Sequence, residues 1–432
     1  MRRRLFDDWN AHLTVADSVD PAHDVLSFES RTEGREVRVD GTLAHQPAGF
    51  TSAAVCAGIK TPGVLDFSVV RLDEPGPAAG VFTKNRCPGY AVEWDREHLA
   101  GGRAQLLAVV SKNANVFTPH GAEDTREMAR RLAREFRVLE GDIVLSCTGV
   151  IGVPLPMSKI GAAVEGLSSQ LAPGGLDAVS RAILTTDRAP KVCSVRFGDV
   201  VVCAMAKGAG MIEPNMATML VYFFTNADVP AARLKEILTT AVERTFNSIS
   251  VDSDTSTSDS VVVFSTRRAR VDAAADADLA DAVRCMSIKL ARDVVSQAEG
   301  ATKLIECTVR SDGSVAEAKA MAKKIVNSPL VKTAVFGGDP NWGRVVMAIG
   351  KPDGEGPGGS IDRRDVTIEM MGQVLCRRAE PVTTDLDALA RSIKSSSRVS
   401  IDVCVGEGRH RAKVWGCDLS HRYVEINAEY MT

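Results

Sequence analysis

The sequence predicts an α/β protein layered in the α+β manner, and three observations predict it. Short apolar runs of strand length recur along the chain, among them Leu106–Ser111, Asp142–Cys147, Met219–Phe224 and Val399–Val405. Stretches with apolar residues at helical spacing lie between them, and strands mixed with helices throughout indicate sheet and helix layers around shared cores. Hydrophobic residues make up 45% and charged residues 25% of the 432 positions, the balance of an ordinary globular protein. That length implies two or three lobes, or one interwoven unit.

Residues 1 to about 45 mix charged stretches without a clear period and read as an N-terminal extension with no assignable role. Beyond Gly49 the elements become regular. Glu123–Phe136 carries Met128, Leu132 and Phe136 on one helix face, and Ile160, Val164, Leu167 and Leu171 mark a second helix. Lys191–Lys207 reads as a hairpin around Phe197-Gly198-Asp199. Gly208-Ala-Gly210 is a bend, and Met219–Phe224 is a strand buried on both faces with Thr218 at its head. Asp228 and Pro230 start a helix bearing Leu234, Ile237, Leu238, Ala241 and Val242. Leu279, Val283, Met286, Leu290 and Val294 form another stripe, and Val315–Val326 is a helix that ends before Pro329. Asp365–Met371 and Val399–Val405 are strand-like, so roughly residues 310–432 form a smaller C-terminal α/β lobe.

Composition excludes several function classes. Lys plus Arg number 52 against 55 Asp plus Glu, so no basic excess points to nucleic acid. No run approaches the roughly 20 apolar residues of a membrane span, and the basic start lacks the apolar core of a secretory signal. The ten cysteines form no C-x-x-C pair, which argues against zinc and against a disulfide framework. Cys147, Cys203 and Cys404 read as small core residues, and a reducing cytoplasm is the expected compartment. A phosphate-binding P-loop, a zinc-protease helix and a serine-hydrolase elbow are all missing.

Threonine and glycine are concentrated at segment ends. Thr148-Gly149 closes one strand, Thr185-Thr186-Asp187 interrupts an apolar run, Thr218 follows a Gly-rich bend, and Asp252–Asp259 is made of short polar side chains. Turns and caps also favour these residues. A threonine hydroxyl is a weak nucleophile without an adjacent base. Cleavage of the bond before it supplies one, because a freed α-amine has a reference pKa of about 7.7–8.0 against about 10.4 for lysine. Ala217-Thr218, a small residue before a threonine at the mouth of a rigid strand, permits that chemistry.

The stretch Lys207-Gly-Ala-Gly-Met-Ile-Glu-Pro-Asn-Met-Ala-Thr-Met-Leu220 resembles the self-cleavage segment of the bifunctional ornithine acetyltransferase/N-acetylglutamate synthase family. Gly80-Val-Phe-Thr-Lys-Asn-Arg86, Asn113-Ala-Asn115, Cys147-Thr-Gly-Val-Ile-Gly152, Gly300-Ala-Thr-Lys303 and Ile426-Asn-Ala-Glu-Tyr-Met-Thr432 agree in the same order, so the resemblance runs from about residue 46 to the C-terminus. It implies an N-terminal-nucleophile-like αββα sandwich cut between Ala217 and Thr218 into fragments 46–217 (with the extension 1–45) and 218–432. Thr218 would be the nucleophile and Thr148 with Gly149 the oxyanion hole. Thr186, Lys207, Thr218, Glu299, Asn427 and Thr432 would bind substrate. The implied reaction moves an acetyl group from N-acetylornithine to glutamate, as a glutamate N-acetyltransferase of arginine biosynthesis. No metal or cofactor is implied, and acetyl-CoA is an alternative co-substrate in some members. Partners would be N-acyl amino acids, the two fragments of the chain and further cleaved protomers in a homo-oligomer, with no nucleic acid and no membrane.

The chain departs from that family pattern at Lys112, Phe117, Val153, Ser253, Ser258 and Gly338. Two expected arginines are lost at Val153 and Gly338, and a lysine is gained at 112, near the presumed substrate loops. A related acyltransferase or amidohydrolase acting on another N-acyl amino acid, and an uncut binding protein, are therefore the rival readings. Asp339-Pro-Asn-Trp-Gly-Arg344 reads as a structural turn with no catalytic role.

Overall fold

The computed structural model describes residues 2–4, 13–16, 18, 24–213, 219–352 and 361–429. Two sheets share one long strand, Phe67–Phe82. Its first half pairs with Phe50–Val55 and Arg103–Asn113, and Ile143–Val150 completes that sheet in parallel with Arg103–Asn113. Its second half pairs with Ser260–Ala269, which leads to Leu220–Ala227, Val200–Lys207 and Lys191–Phe197. The register breaks between Arg71 and Gly76, where the strand crosses from one sheet to the other. A Cβ on Gly76 would stand 2.1 Å from the Ser265 carbonyl oxygen, so the crossing requires glycine.

The two sheets pack face to face. Val70, Leu107, Val109 and Val144 of the first meet Met205, Leu220, Tyr222, Phe224, Val262 and Phe264 of the second in one core. The outer face of the first sheet is covered by helices Gly121–Phe136 and Met157–Val164. That of the second is covered by Ala231–Arg244 and Ala273–Ser296. The layers run helix, sheet, sheet, helix, as the αββα expectation requires. Leu220–Ala227 is buried at every position, since both of its faces are covered and both edges paired.

Most local expectations agree with these elements. The hairpin turns at Gly198-Asp199 with Phe197 opposite Val200, and Val315–Val326 starts on a Ser314 cap and stops before Pro329, which opens the next helix. Two of these readings need correction. The helix drawn through Ile160–Leu171 ends at Val164, because Gly166 adopts φ +73° and a separate short turn, Leu167–Gln170, follows. Cys404 is only half-buried, while Cys147 and Cys203 are core residues. The N-terminal extension, read as having no assignable role, contributes strands to the fold. Strands Arg2–Arg4, Leu13–Ala16, Val25–Ser30 and Arg35–Arg38 form an antiparallel sheet that lays Leu13, Val15, Leu26 and Phe28 into the core around helix Ala273–Ser296. Asp278 on that helix accepts from Ser30 Oγ at 2.7 Å and from the Arg31 and Thr32 backbone N–H groups at 2.8 Å.

A second sheet system follows. Its strands run Glu380–Pro381, Gln373–Arg377, Val366–Met370, Arg398–Val405, Leu304–Ser311 and His410–Cys417 in spatial order. Helices Val315–Val326, Pro329–Gly337, Trp342–Ile349 and Leu386–Ser395 contribute to its core. Helix His421–Glu429 then returns the chain to the sandwich, where it meets Gly300 and Asp252.

Candidate active site

Side chains alternate between the faces of a strand. Val144 points into the core between the two sheets, and Thr148 shares its parity on Ile143–Val150. Met205 and Cys203 do likewise, and Lys207 shares theirs on Val200–Lys207. At one end of the inner space the apolar residues therefore give way to threonine and lysine. A cavity of about 170 Å³ opens there.

Thr148, Gly149, Thr186, Lys207, Glu299 and Asn427, expected as site residues from positions 279 apart in the chain at their extremes (427 − 148), all line this one cavity. Met219 and Leu220 line it too. Ala217, Thr218 and Thr432 lie outside the described residues. Their described neighbours are held in register: Ser260 N–H donates to the Met219 carbonyl at 3.0 Å, and Leu220 pairs with Lys207 across the sheet.

Gly149 has φ +135°, and a Cβ there would meet the Lys112 carbonyl carbon at 2.2 Å. Only glycine lets these two backbones close up, which turns the chain after Thr148 and brings residue 149 to the cavity wall. The loop beyond is fixed by Asn113, whose Nδ2 donates to the carbonyls of Val153 and Pro154 at 3.0 Å each.

Lys207 is buried, and burial draws its pKa below the ordinary lysine value while Asp187 and Asp259 oppose the fall. Its Nζ donates to Thr185 Oγ1 at 3.3 Å. Burial would raise the Asp187 carboxyl, yet Lys191, Lys207 and its hydrogen bonds hold it down at about 2. Lys60 stands behind this group, donating to the Leu65 and Ala182 carbonyls, and burial lowers its pKa to about 8.

On the opposite side Glu299 Oε2 accepts from Asn427 Nδ2 at 2.9 Å, which ties the C-terminal helix to the sandwich. A Cβ on Gly210 would stand 2.3 Å from the same oxygen, so glycine at 210 leaves room for the Glu299 carboxylate. Asp252 accepts from the Met211 and Ile212 backbone N–H groups at 2.7 Å each and from the Tyr423 hydroxyl at 3.3 Å. Burial, then Asp252, push the Tyr423 phenol up.

Sequence reasoning assigned no role to Asp187, Asp252, Lys60 or Tyr423. The first two sit in polar stretches that turns and caps also explain, and nothing in the local pattern distinguishes Tyr423 from a surface helix residue. The departures from the family pattern separate clearly in space. Ser258 lines the cavity. Lys112 lies behind Gly149, and Phe117 and Val153 are exposed. Gly338 is not at the cavity, which corrects its placement near a substrate loop. It takes φ +81° to end helix Pro329–Gly337, a left-handed position that favours glycine over arginine. Asn341 in the same motif caps helix Trp342–Ile349, in accord with a structural turn. Among the described residues no group of three or more His, Cys, Asp or Glu could hold a metal ion.

Fold and site together define a layered αββα protein with a polar cleft at the open end of its two central sheets. The model of the ArgJ family matches residues 51–432, and the chain belongs to that family. It is 40% identical over 398 residues to the arginine biosynthesis bifunctional protein ArgJ 2 of Nostoc sp., covering 90% of this chain and 99% of that one. It is 39% identical over 394 residues to the glutamate N-acetyltransferase Oat2 of Streptomyces clavuligerus, covering 89% and 98%. A solved structure of ornithine acetyltransferase complexed with ornithine, from Mycobacterium tuberculosis, is 36% identical and aligns with a TM-score of 0.40 over 42% of this chain and 100% of that one.

Proposed function

We propose that the chain cuts itself between Ala217 and Thr218 and then moves an acetyl group from N-acetylornithine to glutamate through a Thr218 ester. The observation that carries this reading is the convergence of Thr148, Gly149, Thr186, Lys207, Glu299 and Asn427 on the cavity that Met219 and Leu220 also line. Family membership, from which these residues were expected, supports it as well.

The freed α-amine of Thr218 takes the hydroxyl proton, and Oγ attacks the acetyl carbon. Thr148 Oγ and the Gly149 N–H stabilise the negative oxygen that forms. The amide nitrogen leaves with the proton as ornithine. The α-amine of glutamate then attacks the ester, releasing N-acetylglutamate and restoring the threonine. Lys207 pairs with the substrate carboxylate and Glu299 with its ammonium, with Thr186, Asn427 and Thr432 completing the pocket. Acetyl-CoA serves as a second donor through the same ester, and no cofactor takes part. The fragments remain one body, because Leu220 to Thr225 pair with Lys207 to Val202 across the cut. Cleaved protomers associate further in the cytoplasm. Among the described residues no helix is long and apolar enough to cross a membrane.

Denaturing mass spectrometry and an acetyl-transfer assay test the reading together. Two species meeting at the 217/218 bond, with ornithine release that requires glutamate, are expected. One uncut species of 46.1 kDa removes the mechanism; glutamate-independent release turns the enzyme into a hydrolase, and no release removes this substrate.

A further inference from the structure

Lys191 and Lys207 share the neighbourhood of one carboxylate. Lys191 opens strand Lys191–Phe197 and pairs with Ala206, so it stands beside the end of the strand that carries Lys207. The Lys191 and Asp187 side chains are both fully inaccessible to solvent, with Nζ 2.6 Å from Oδ1. The same Oδ1 accepts from the Gly208 backbone N–H at 2.7 Å, and Oδ2 from Thr185 N–H at 3.3 Å. Asp187 thus joins both walls of the cavity, the Thr185–Thr186 loop and the Lys207–Gly208 strand end. Lys207, which lines the cavity, is left with Thr185 Oγ1 at 3.3 Å as its hydrogen-bond acceptor among the described residues.

We propose that Asp187 and Lys191 are a pair of positioning residues: Lys191 occupies Asp187, so the Lys207 ammonium stays turned to the cavity and available to the carboxylate of an amino-acid substrate. The substrate half of this statement rests on the acyl-amino-acid reading above. The geometry explains why a site with one cavity-lining lysine needs a second lysine buried beside it. A lone buried carboxylate next to Lys207 would capture the ammonium as a closed ion pair. A carboxylate already paired keeps the neighbourhood electrostatically tolerable for Lys207 without consuming it. Asp259 and Glu299 also favour protonation of Lys207 and Lys191 opposes it, while Lys60 is a further cation that feels both Lys207 and Asp187.

Competitive acetylation across a pH range, read by mass spectrometry on the peptide containing Lys207, follows the ionisation of that amine in the folded protein without any substrate. Asp187→Asn is nearly isosteric, and its amide oxygen still accepts from Gly208. Loss of the charge is expected to lower the Lys207 labelling midpoint by about one pH unit. In Lys191→Met, Asp187 turns to Lys207, so the midpoint rises, and KM for N-acetylornithine rises about tenfold. Charge alone moves the midpoint in these same two directions, since Asp187 favours and Lys191 opposes protonation of Lys207, so the rise in KM of Lys191→Met is the readout that separates positioning from bare electrostatics. A midpoint in Asp187→Asn that matches wild type overturns the inference, and that variant decides alone where Lys191→Met does not fold. A folded Lys191→Met with an unmoved or lowered midpoint overturns it equally. Because the labelling needs no turnover, wild-type protein that releases no ornithine refutes the proposed function while this measurement still decides the pair.

Discussion

Gly149→Ala tests the proposed oxyanion role of this backbone. The added Cβ would lie 2.2 Å from the Lys112 carbonyl carbon, 2.4 Å from its oxygen and 2.5 Å from its Cα. Ordinary contact between carbon atoms begins near 3.5 Å, so the two backbones must separate by roughly 1 Å. Lys112 cannot yield by a side-chain rotation, because all three of those atoms are backbone. Alanine at φ +135° adds strain of about 1–3 kcal/mol. Oxyanion donors act at about 2.7–3.1 Å, and loss of one costs about 10²–10³ in kcat. A 1 Å retreat of the residue 149 N–H should therefore lower kcat for acetyl transfer about 10²-fold, or ~2.7 kcal/mol. KM should change much less, since the lysine and carboxylate walls are elsewhere. The assay is steady-state ornithine release with glutamate as acceptor, on protein shown to be folded by circular dichroism and already cut by mass spectrometry. A folded, cut Gly149→Ala enzyme with kcat within about threefold of wild type would refute the assignment of this backbone to oxyanion stabilisation.

Other perturbations probe the remaining parts. Thr218→Ala should stay a single chain on a denaturing gel and release no ornithine; a cut and active variant ends the nucleophile assignment. Glu299→Gln keeps an acceptor for Asn427 but loses the charge, so KM for N-acetylornithine should rise about tenfold with cleavage intact, and an unchanged KM removes Glu299 as the ammonium partner. Asp24 receives the guanidinium groups of Arg292 and Arg398, and the Asp24 and Arg292 side chains are each 2% exposed. Asp24→Ala should destabilise by about 3–5 kcal/mol in chemical denaturation, whereas a loss below about 1 kcal/mol would make the node dispensable. Asp187, held at about 2, lies below its unfolded value near 3.9. Its stabilisation is full above the unfolded value and disappears as pH falls toward 2. The stability gap between wild type and Asp187→Asn should accordingly narrow between about pH 5 and pH 2; a gap constant over that window contradicts the ion pair.

How much could be read in advance depends on the distance over which each feature is determined. The buried strand from Met219, the hairpin at Gly198-Asp199 and the stripe on helix Ala273–Ser296 are local patterns of apolar residues, and they survive folding because burial follows that pattern directly. The break at Gly166 was hidden because Ile160, Val164, Leu167 and Leu171 keep helical spacing across a glycine that turns left-handed. The N-terminal sheet was illegible for another reason. Its strands are three to six residues long, and Leu13, Val15, Leu26 and Phe28 acquire their meaning from helix Ala273–Ser296, some 250 residues away (278 − 28). The family model starts at residue 51, so motif matching could not reach it either. The site shows the same division. Thr148, Gly149 and Lys207 stand in contiguous motifs and could be named from them. Asp187 looks like a turn aspartate until the fold places Lys191, Lys207 and Gly208 around it. Its charge, fully inside the protein, is tolerable only in that company: Lys191 stands four residues on, but the strand end carrying Lys207 and Gly208 lies outside any short window around Thr185-Thr186-Asp187.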